Sequence, residues 1–259
     1  MNILVFDIET IPDIETGRKL YNLHDLSDED VAQAMFNIRR QKTAGSEFLP
    51  HHLQKIVAIS AVFRSPEQLN IWSLGDENSG EAEIIQRFYD GIDRYTPTLV
   101  SWNGGGFDLP VLHYRSLKHK IQALRYWETG NEDREFKWNN YISRYHSRHT
   151  DVMDVLAMYT GRANAPLDEV STMLGFPGKM GMSGAKVWDE YCAGNIKGIR
   201  DYCETDVLNT YLVYLRYEMM RGMITLEQME IEETRLSQWL ENHKEQHFQE
   251  FLTQWRSVE

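Results

Sequence analysis

Three short motifs contain four acidic residues and one tyrosine whose types and spacing could build a metal site, besides a fifth acid, Glu204, on another helix face. The motifs are FDIET at residues 6–10, NGGGFD at residues 103–108 and YCETD at residues 202–206. Carboxylate oxygens are preferred ligands of hard divalent ions, and carboxylates held close together repel one another unless a cation neutralises them. The sequence therefore predicts a divalent-metal centre built from Asp7, Glu9, Asp108 and Asp206, with Tyr202 beside them.

The first motif follows a predicted strand. Residues 2–6 form a short apolar run that is typical of a buried strand. Side chains at positions i and i+2 of a strand point to the same face, whereas the residue between them points the other way. We therefore expect Asp7 and Glu9 to project together into one place, with Ile8 turned into the core.

The second motif lies between a predicted strand over residues 98–102 and a predicted helix over 109–118. Its three consecutive glycines let the backbone approach a ligand closely. Asn103 can bond to a substrate or to the turn itself, and Phe107 can stack on a base or fill the core. Asp108 can hold a metal ion or cap the helix that follows.

The third motif lies in a long predicted helix over residues 196–220. Tyr202 and Asp206 are four residues apart, a spacing that puts both side chains on one helix face. Asp206 can therefore ligate a metal ion while Tyr202 contacts a water molecule that the ion activates for attack on a substrate. A phenol has a pKa near ~10, so we expect the water to lose its proton with help from the metal ion.

The remaining pattern predicts strands that alternate with helices. Residues 56–63 and 68–73 form a predicted hairpin, and residues 149–151 end a further strand. Predicted helices cover residues 28–42, 81–95, 154–159, 167–174, 188–192 and a polar, Glu-rich tail from 226 to 255. This order predicts an α/β fold with a mixed five- or six-stranded sheet flanked by helices. We expect one catalytic domain over 1–222, followed by a C-terminal helical extension over 223–259.

Composition and hydropathy indicate a cytoplasmic globular protein. The chain has 259 residues, of which 42% are hydrophobic, as in a packed globular protein. It has no apolar run long enough to span a membrane and no basic stretch followed by an apolar run near its first residue, so we predict neither a membrane span nor a secretory signal. Cys192 and Cys203 form neither a disulfide framework nor a zinc signature, and we expect both to be buried thiols.

Charge is unevenly distributed along the chain. The net charge of −12 argues against a general nucleic-acid coat protein, because phosphate binding is driven by cations. The basic segment, residues 113–149, nevertheless carries eight Lys or Arg residues against four acids and is interleaved with aromatic residues. This segment could form a substrate path or an ordinary solvated surface, and the sequence leaves both interpretations open.

In this order, and in these strand and helix contexts, the three motifs resemble the DEDD superfamily of 3′–5′ exonucleases, whose fold is ribonuclease H-like. The resemblance covers about residues 1–220. The chain resembles the tyrosine (DEDDy) subclass, because Tyr202 lies four residues before Asp206. The histidine subclass would have a histidine five residues before that aspartate, where this chain has Asp201. The surrounding sequence resembles stand-alone relatives of the proofreading exonuclease domain of family B DNA polymerases.

This resemblance implies two Mg²⁺ or Mn²⁺ ions, a water that attacks the terminal phosphodiester, and 5′-mononucleotides as products. It implies that Asp7 bridges both ions and that Asp108 holds the second ion, largely through water. Glu9 and Asp206 would hold the catalytic ion, with Tyr202 orienting the water. Thr10 and Ile11 are the implied contacts to the 3′-terminal nucleotide. Asn103 and Phe107 are the implied contacts to the nucleotide next to it.

Three further regions are weaker candidates. Asp151 could add to the metal cluster, or it could cap the helix that follows, as Asp commonly does. The glycine-rich segment 175–186 carries Lys179 and could clamp phosphate as a mobile loop, or it could be an ordinary helix connection. The acidic tail should repel nucleic acid, so we expect it to pack on its own domain or to support dimerisation.

The sequence thus predicts a metal-dependent 3′–5′ exonuclease that acts on the 3′ end of single-stranded nucleic acid. DNA is favoured over RNA because the resemblance is to a DNA proofreading domain. The main alternative is an exoribonuclease acting on RNA or short oligonucleotides. A non-catalytic nucleic-acid-binding module is less favoured because all five active-site residues are present. A ribonuclease H-like endonuclease is less favoured because the Tyr202–Asp206 pair serves end-directed hydrolysis in the resembled family.

Overall fold

A five-stranded mixed sheet forms the centre of the computed structural model, which describes residues 2–258. The strands are β1 (Ile3–Pro12), β2 (Gln54–Arg64), β3 (Leu69–Ser73), β4 (Thr98–Ser101) and β5 (His149–Asp151). They lie in the order β3-β2-β1-β4-β5. The β1–β2 and β2–β3 pairs are antiparallel, and the β1–β4 and β4–β5 pairs are parallel. This sheet and its flanking helices confirm the predicted α/β fold class.

The helices of the described chain cover both faces of the sheet. Before β4 come α1 (Ile14–Tyr21), α2 (Asp28–Lys42) and α3 (Glu81–Tyr95), and after it α4 (Asp108–His119). After β5 come α5 (Val152–Leu156), α6 (Leu167–Met173), α7 (Val187–Cys192), α8 (Ile196–Met220), α9 (Leu226–Asn242) and α10 (Gln246–Val258). None of them combines the length and apolarity that a membrane span requires.

β1 lies at the centre of the sheet because its sequence is apolar on both faces. Ile3 and Val5 pack toward α8 and the C-terminal helices. Leu4, Phe6 and Ile8 pack toward α3 and α4 on the opposite face. Strands covered by helices on both sides characteristically have such continuous apolar runs, so an acid within β1 stands out.

The two C-terminal helices complete the core on the α8 side of the sheet. Met229, Leu236 and Leu240 from α9 lie buried in one cluster with Phe251 and Trp255 from α10 and with residues of α8. Full burial of one such side chain contributes about 1.5–3 kcal/mol, so this docking stabilises the sheet that it covers. The tail therefore packs on its own domain, and the boundary near residue 222 stays a prediction.

Two predicted helices differ from the observed ones. The helix predicted over 154–159 lies at Val152–Leu156, because Met158 and Tyr159 take φ values of 52° and 59° that cannot continue a helix. The single helix predicted over 226–255 is two helices, with extended backbone at His243 between them. The apolar stripe continues across this break, so the sequence pattern did not reveal it.

Candidate active site

Asp7 and Glu9 project from the same face of β1, as the alternation of a strand predicts. Val5 and Ile11, their neighbours on that face, pack against α8. Ile8, between the two acids, lies in the core on the opposite face. Asp7 keeps partial exposure and Glu9 is 7% exposed, so the pair lies at the edge of the packed core under α8.

A backbone hydrogen bond holds Asp108 beside the two strand acids. Asp108 is the first residue of α4 and is 3% exposed. The N–H of Ile8 donates to Asp108 Oδ1 at 3.2 Å, although the two residues are 100 positions apart. Phe107 occupies the N-cap position of α4, so Asp108 does not serve as that cap. Asp108 is therefore fixed at the point of β1 that carries the other two acids.

Helix α8 supplies the fourth acid and the tyrosine. Asp206 and Tyr202 are both partly exposed, and the Tyr202 hydroxyl donates a hydrogen bond to the Asp206 carboxylate. The charge of Asp206 raises the pKa of both Asp7 and Glu9, so the three carboxylates lie within electrostatic reach of one another. The structure thus brings together the five residues that the three motifs predicted.

Burial raises the pKa values of all four carboxylates, and repulsion from other acids of the site raises those of Asp7 and Glu9 further. Burial, followed by the charges of its three acidic neighbours, raises the pKa of Asp7. Burial and the charges of Asp206 and Asp108 raise the pKa of Glu9. Burial raises the pKa of Asp108 to about 7. It raises that of Asp206 to about 6, with opposing contributions from Tyr202 and Lys179.

These four acids fit a hard divalent cation. Each offers carboxylate oxygens, which Mg²⁺ and Mn²⁺ prefer over nitrogen or sulfur. The ion pairs formed within residues 2–258 involve none of the four. Carboxylates buried without a counter-ion are costly, and a bound divalent ion removes that cost. The donor set is therefore suited to an external metal.

Cys203 places a thiol beside Asp7 that the sequence did not mark as part of the site. Its Sγ lies 3.6 Å from Asp7 Oδ2 and 3.5 Å from the Asp7 carbonyl oxygen. Burial and the charges of Asp7 and Glu9 raise the pKa of Cys203, so it is a thiol that donates to Asp7. The expected burial is confirmed for Cys203 and wrong for Cys192, which is exposed at the end of α7. Only its place inside the third motif hinted at this contact.

Asp151 supports the glycine turn between β4 and α4. Its Oδ1 accepts from the backbone N–H of Asn103 at 2.9 Å, and its Oδ2 accepts from that of Gly105 at 2.8 Å. Oδ1 also accepts from the N–H of Asp154 at 3.2 Å, which makes Asp151 the N-cap of α5. Asp151 therefore caps a helix and holds the loop that leads to Asp108, as one of its two predicted roles required.

The backbone of this turn explains two of its residue types. Asn103 has a φ of 63°, in the left-handed region that Asn tolerates better than most residues. A Cβ added to Gly104 would lie 2.2 Å from Ser101 Oγ, so glycine is required at this close approach. The turn thus needs Asn103 for its shape, and the contact of Asn103 with a substrate stays a prediction.

A cleft of about 850 Å³ opens beside the acids. Glu9, Thr10 and Phe107 are among its lining residues, and Phe48 and Trp188 add aromatic surface. The half-buried Phe107 ring lies 5.3 Å from the ring of Phe48, centre to centre. The cleft therefore offers aromatic side chains, on which bases can stack, next to the candidate metal centre.

Thr10 and Ile11, two of the predicted nucleotide contacts, differ in accessibility. Thr10 lines the cleft, and its Oγ1 donates to Gln54 Oε1 at 3.0 Å. Ile11 is 2% exposed and packs against α7 and α8, because it shares the strand face of Asp7 and Glu9. The buried Ile11 side chain cannot meet a nucleotide, so only its backbone is left for the predicted contact.

Lys179 lies near the acids on a segment that α8 tethers. It is exposed, and its charge lowers the pKa of Asp206. The preceding residue is fixed by a pair of hydrogen bonds: Asn209 Nδ2 donates to the Gly178 carbonyl at 2.8 Å, and the Gly178 N–H donates to Asn209 Oδ1 at 3.2 Å. The start of segment 175–186 is therefore anchored, and it presents Lys179 within electrostatic reach of Asp206.

The basic segment is partly neutralised by acids of the protein itself. Arg115 is 2% exposed and forms ion pairs with Asp13 and Glu81. Three other cations of the segment are also paired with acids, namely Lys118, Arg125 and Arg144. Cations held in this way support the fold, so the observed pairing favours a structural role over a substrate path for these four residues.

Comparison with protein families gives a match over most of the chain. A family described as a predicted 3′–5′ exonuclease related to the exonuclease domain of PolB matches residues 46–255. This region includes the second and third motifs as well as α9 and most of α10, while the first motif precedes it. No curated protein matches the chain.

Solved structures show a more distant likeness. One is the family B DNA polymerase from the hyperthermophilic archaeon Pyrobaculum calidifontis, with 16% sequence identity and a TM-score of 0.47. The alignment covers 85% of this chain and 24% of the polymerase chain, so the chain spans about a quarter of that polymerase. A likeness of this degree says nothing about activity.

Proposed function

We propose that this chain, which belongs to the family of predicted 3′–5′ exonucleases related to the exonuclease domain of PolB, degrades single-stranded DNA from its 3′ end. The products are 5′-mononucleotides, and the reaction depends on two Mg²⁺ or Mn²⁺ ions. The supporting observation is that four carboxylates converge where α8 crosses β1, and that none of them forms an ion pair within residues 2–258. Such a centre needs a cation from outside the chain.

Two bound divalent ions would lower the pKa of a water and stabilise negative charge on the attacking and leaving oxygens. Asp7 is the residue best placed to contact both ions, since the charges of the other three acids all act on it. Glu9 and Asp206 would hold one ion, which would activate the attacking water, and Asp108 would hold the other, which would stabilise the leaving oxygen. The assignment leaves each carboxylate with a cationic partner.

Tyr202 orients the attacking water and does not remove its proton. Burial and the charges of Asp206 and Glu9 raise the pKa of Tyr202, so it stays a neutral phenol at neutral pH. Its O–H donates to Asp206, which leaves an oxygen lone pair free to accept from the water. The water oxygen bonds to phosphorus as the P–O3′ bond breaks; the water proton passes to solvent, and O3′ takes up a proton.

The lining of the cleft supports a single-stranded substrate. Stacking on Phe48, Phe107 and Trp188 requires bases that are not paired in a duplex. Glu29 and Asp189 also line the cleft, so its charge does not favour a long polyanionic strand. We favour DNA over RNA because the family is related to the exonuclease domain of a DNA polymerase, an argument by analogy.

The proposal is tested with 5′-labelled single-stranded DNA and RNA of one sequence, incubated with the full chain and Mg²⁺, Mn²⁺ or EDTA. We expect a ladder of products shortened one nucleotide at a time on DNA, slower shortening of RNA, and none with EDTA. If RNA were shortened faster than DNA, RNA would be the preferred substrate and the protein would be an exoribonuclease.

A circular single strand serves as the matched control substrate, because it has the same phosphodiesters but no 3′ end. We expect it to resist digestion. Linearisation of the circle would identify an endonuclease instead. Binding of the linear strand without any cleavage would identify a non-catalytic binding module.

A further inference from the structure

A second group of metal-ligating side chains joins α8 to α10, apart from the four acids of the candidate active site. Asp201 and Glu204 lie on α8 and His247 lies on α10, and one ligand atom from each lies within 4.8 Å of the other two. Asp201 and His247 line a cavity of about 430 Å³ bounded by α8, α10 and segment 175–186. The proposed hydrolysis uses none of these three residues.

Glu204 fixes the orientation of the His247 ring. His247 Nε2 lies 2.8 Å from Glu204 Oε2, and Ser73 Oγ donates to Glu204 Oε1 at 2.6 Å. A carboxylate only accepts hydrogen bonds, so the ring hydrogen of a neutral His247 is on Nε2. The other ring nitrogen, Nδ1, then carries an unshared lone pair.

This Nδ1 faces Asp201 without a hydrogen bond. It is a buried atom with no hydrogen-bond partner among residues 2–258, and His247 as a whole is 9% exposed. Its distance to Asp201 Oδ1 is 3.5 Å, while Lys197 donates to the other oxygen of that carboxylate at 2.5 Å. A lone pair and a carboxylate oxygen repel each other at this distance, and a cation bound between them would replace this repulsion with attraction.

The separation of 3.5 Å suits two ligands of one metal ion. Hydrogen bonds from N–H to oxygen are normally about 2.7–3.2 Å long, so the two atoms are too far apart for one. Zinc–nitrogen and zinc–oxygen bonds of about 2.0–2.2 Å at a tetrahedral angle place the two ligand atoms about 3.4 Å apart. Metal-bound histidines also commonly donate their other ring N–H to a carboxylate, the position that Glu204 holds.

We propose that Asp201 and His247 bind one divalent transition-metal ion of the Zn²⁺ type, with water from the cavity completing its coordination. An imidazole ligand favours such an ion over Mg²⁺, which prefers oxygen. The ion would connect the helix that carries Tyr202 and Asp206 to α10. Its role is to fix the docking of α10, and it takes no part in the hydrolysis.

Zn²⁺ binding is tested on the full chain with Asp7→Asn and Asp206→Asn, which weaken the centre at β1. We expect equilibrium dialysis to retain one Zn²⁺ per chain. Adding His247→Gln should weaken Zn²⁺ binding by about tenfold or more. The matched control is His243→Gln, which changes another histidine of the tail whose Nδ1 lies 2.7 Å from the Trp239 carbonyl oxygen. It should leave Zn²⁺ binding unchanged.

A second variant guards against misfolding of the His247 substitution. Asp201 has a side chain that is 25% exposed, so Asp201→Asn should preserve the fold and still weaken Zn²⁺ binding about tenfold. Equal Zn²⁺ affinity in the His247 and His243 variants would overturn the proposal. So would an NMR spectrum showing doubly protonated His247 at neutral pH together with no Zn²⁺ uptake. Neither measurement involves cleavage, so these outcomes leave the proposed exonuclease activity untouched.

Discussion

Two clusters of acids, one built around Asp7 and Glu9 of β1 and one that includes Asp13 just after this strand, differ in the source of their compensating charge. The acids of the candidate active site receive no ion pair from residues 2–258; burial raises their pKa values, and repulsion from other acids of the site adds to the rise at Asp7 and Glu9. The other cluster, which we call the Arg115 cluster, contains the acids Asp13 and Glu81 and the cationic or titratable residues Arg115, Lys118 and His119.

The Arg115 cluster obtains its cations from the chain itself. Arg115 Nε and Nη2 donate to the two Glu81 oxygens at 2.7 and 2.6 Å, and Nη1 forms an ion pair with Asp13. Burial alone would raise the pKa of Asp13, but hydrogen bonds from Lys118 and Arg115 outweigh burial and lower it. Glu81 Oε1 also accepts from the N–H of Ile56, so the cluster ties α1, α3 and α4 to β2.

The comparison shows that burial of an acid is not by itself evidence of catalysis. Glu9 and Asp13 are four residues apart in sequence, and both are buried. The two acids differ in the source of the compensating charge. Arg115 and Lys118 supply it for Asp13, whereas no ion pair within the described chain supplies it for Glu9. A buried acid without a protein cation indicates a site that an external cation completes.

Asp7→Asn should have the largest effect on activity and almost none on folding. We expect kcat to fall by about a thousandfold or more, because bound metal ions supply several kcal/mol and each 1.36 kcal/mol is a factor of ten. The metal-free melting temperature should stay equal or rise, since Asn removes one repelling charge. Rates on labelled DNA and thermal melting measure both effects.

Asp13→Asn is the matched control from the Arg115 cluster, and it should lower the melting temperature. If Asp7→Asn cleaved DNA at the wild-type rate, Asp7 would not belong to the metal centre. The contrast between the two clusters would then disappear.

Arg115→Met should reverse this pattern and reduce stability instead of activity. Removing one partner of a buried ion pair leaves its acids uncompensated, which costs about 3–5 kcal/mol. Urea unfolding should show a loss of this size, with the cleavage rate per folded molecule nearly unchanged. The control is Lys120→Met at the exposed end of α4, expected within about 0.5 kcal/mol of wild type. Equal free energies of unfolding for Arg115→Met and Lys120→Met would argue against a structural role for the Arg115 cluster.

Tyr202→Phe should have an intermediate effect on activity. The change removes one hydrogen bond to a charged group, worth about 1.5–3 kcal/mol, so kcat should fall about 10- to 100-fold. Mg²⁺ affinity should change little, because Asp206 keeps its carboxylate. Titration of activity against Mg²⁺ separates the two quantities. A marked loss of Mg²⁺ affinity would show that Tyr202 supports the metal and does not orient the water.

The pH dependence of stability should be the smallest effect and should differ between the clusters. Asp206 and Asp108 have pKa values of about 6 and about 7 in the folded chain, above the ordinary value of 3.8. The folded metal-free protein therefore binds more protons than the unfolded chain between about pH 4 and 7, and the contribution of these acids falls as pH rises. Asp13, with its lowered pKa, contributes stability above its ordinary pKa that is lost on acidification.

Melting temperatures at about pH 5 and about pH 8, with and without Mg²⁺, measure this dependence. We expect Mg²⁺ to stabilise the protein more at the higher pH, where it no longer competes with protons. Asp206→Asn should reduce the pH dependence of the metal-free protein. An Mg²⁺ effect that is equal at both pH values would contradict the raised pKa values.

The sequence predicted the local geometry of the site because that geometry follows from spacing. Alternation along β1 placed Asp7 and Glu9 on one face, and the interval of four on α8 placed Tyr202 with Asp206. The contacts that join these elements could not be derived in this way. Cys203 lies 196 positions from Asp7, and its contact depends on how α8 crosses the sheet, which periodicity does not encode.

The ion pairs of the basic segment could not be predicted from its sequence neighbours either. The basic segment was defined by neighbours in sequence, but Arg115 pairs with acids 34 and 102 positions away. The resemblance implies that Ile11 contacts a nucleotide, whereas α8 covers this face of β1 and buries the Ile11 side chain. In each case the missing information was which element lies against which, and local patterns predict elements better than their packing.

The hydrogen bond from Ile8 to Asp108 has a consequence for motion. It ties Asp108 to the backbone of Ile8, the residue between Asp7 and Glu9, so the position of Asp108 is coupled to the part of β1 that carries the other two acids. Asp206 and Tyr202 belong to a separate body, the long helix α8. Any displacement of α8 relative to the sheet changes the gap between the two halves of the centre and preserves the spacing within each half. The spacing between the acids of β1 and Asp206 is thus set by how α8 packs on β1, a packing that includes the contact of Cys203 with Asp7.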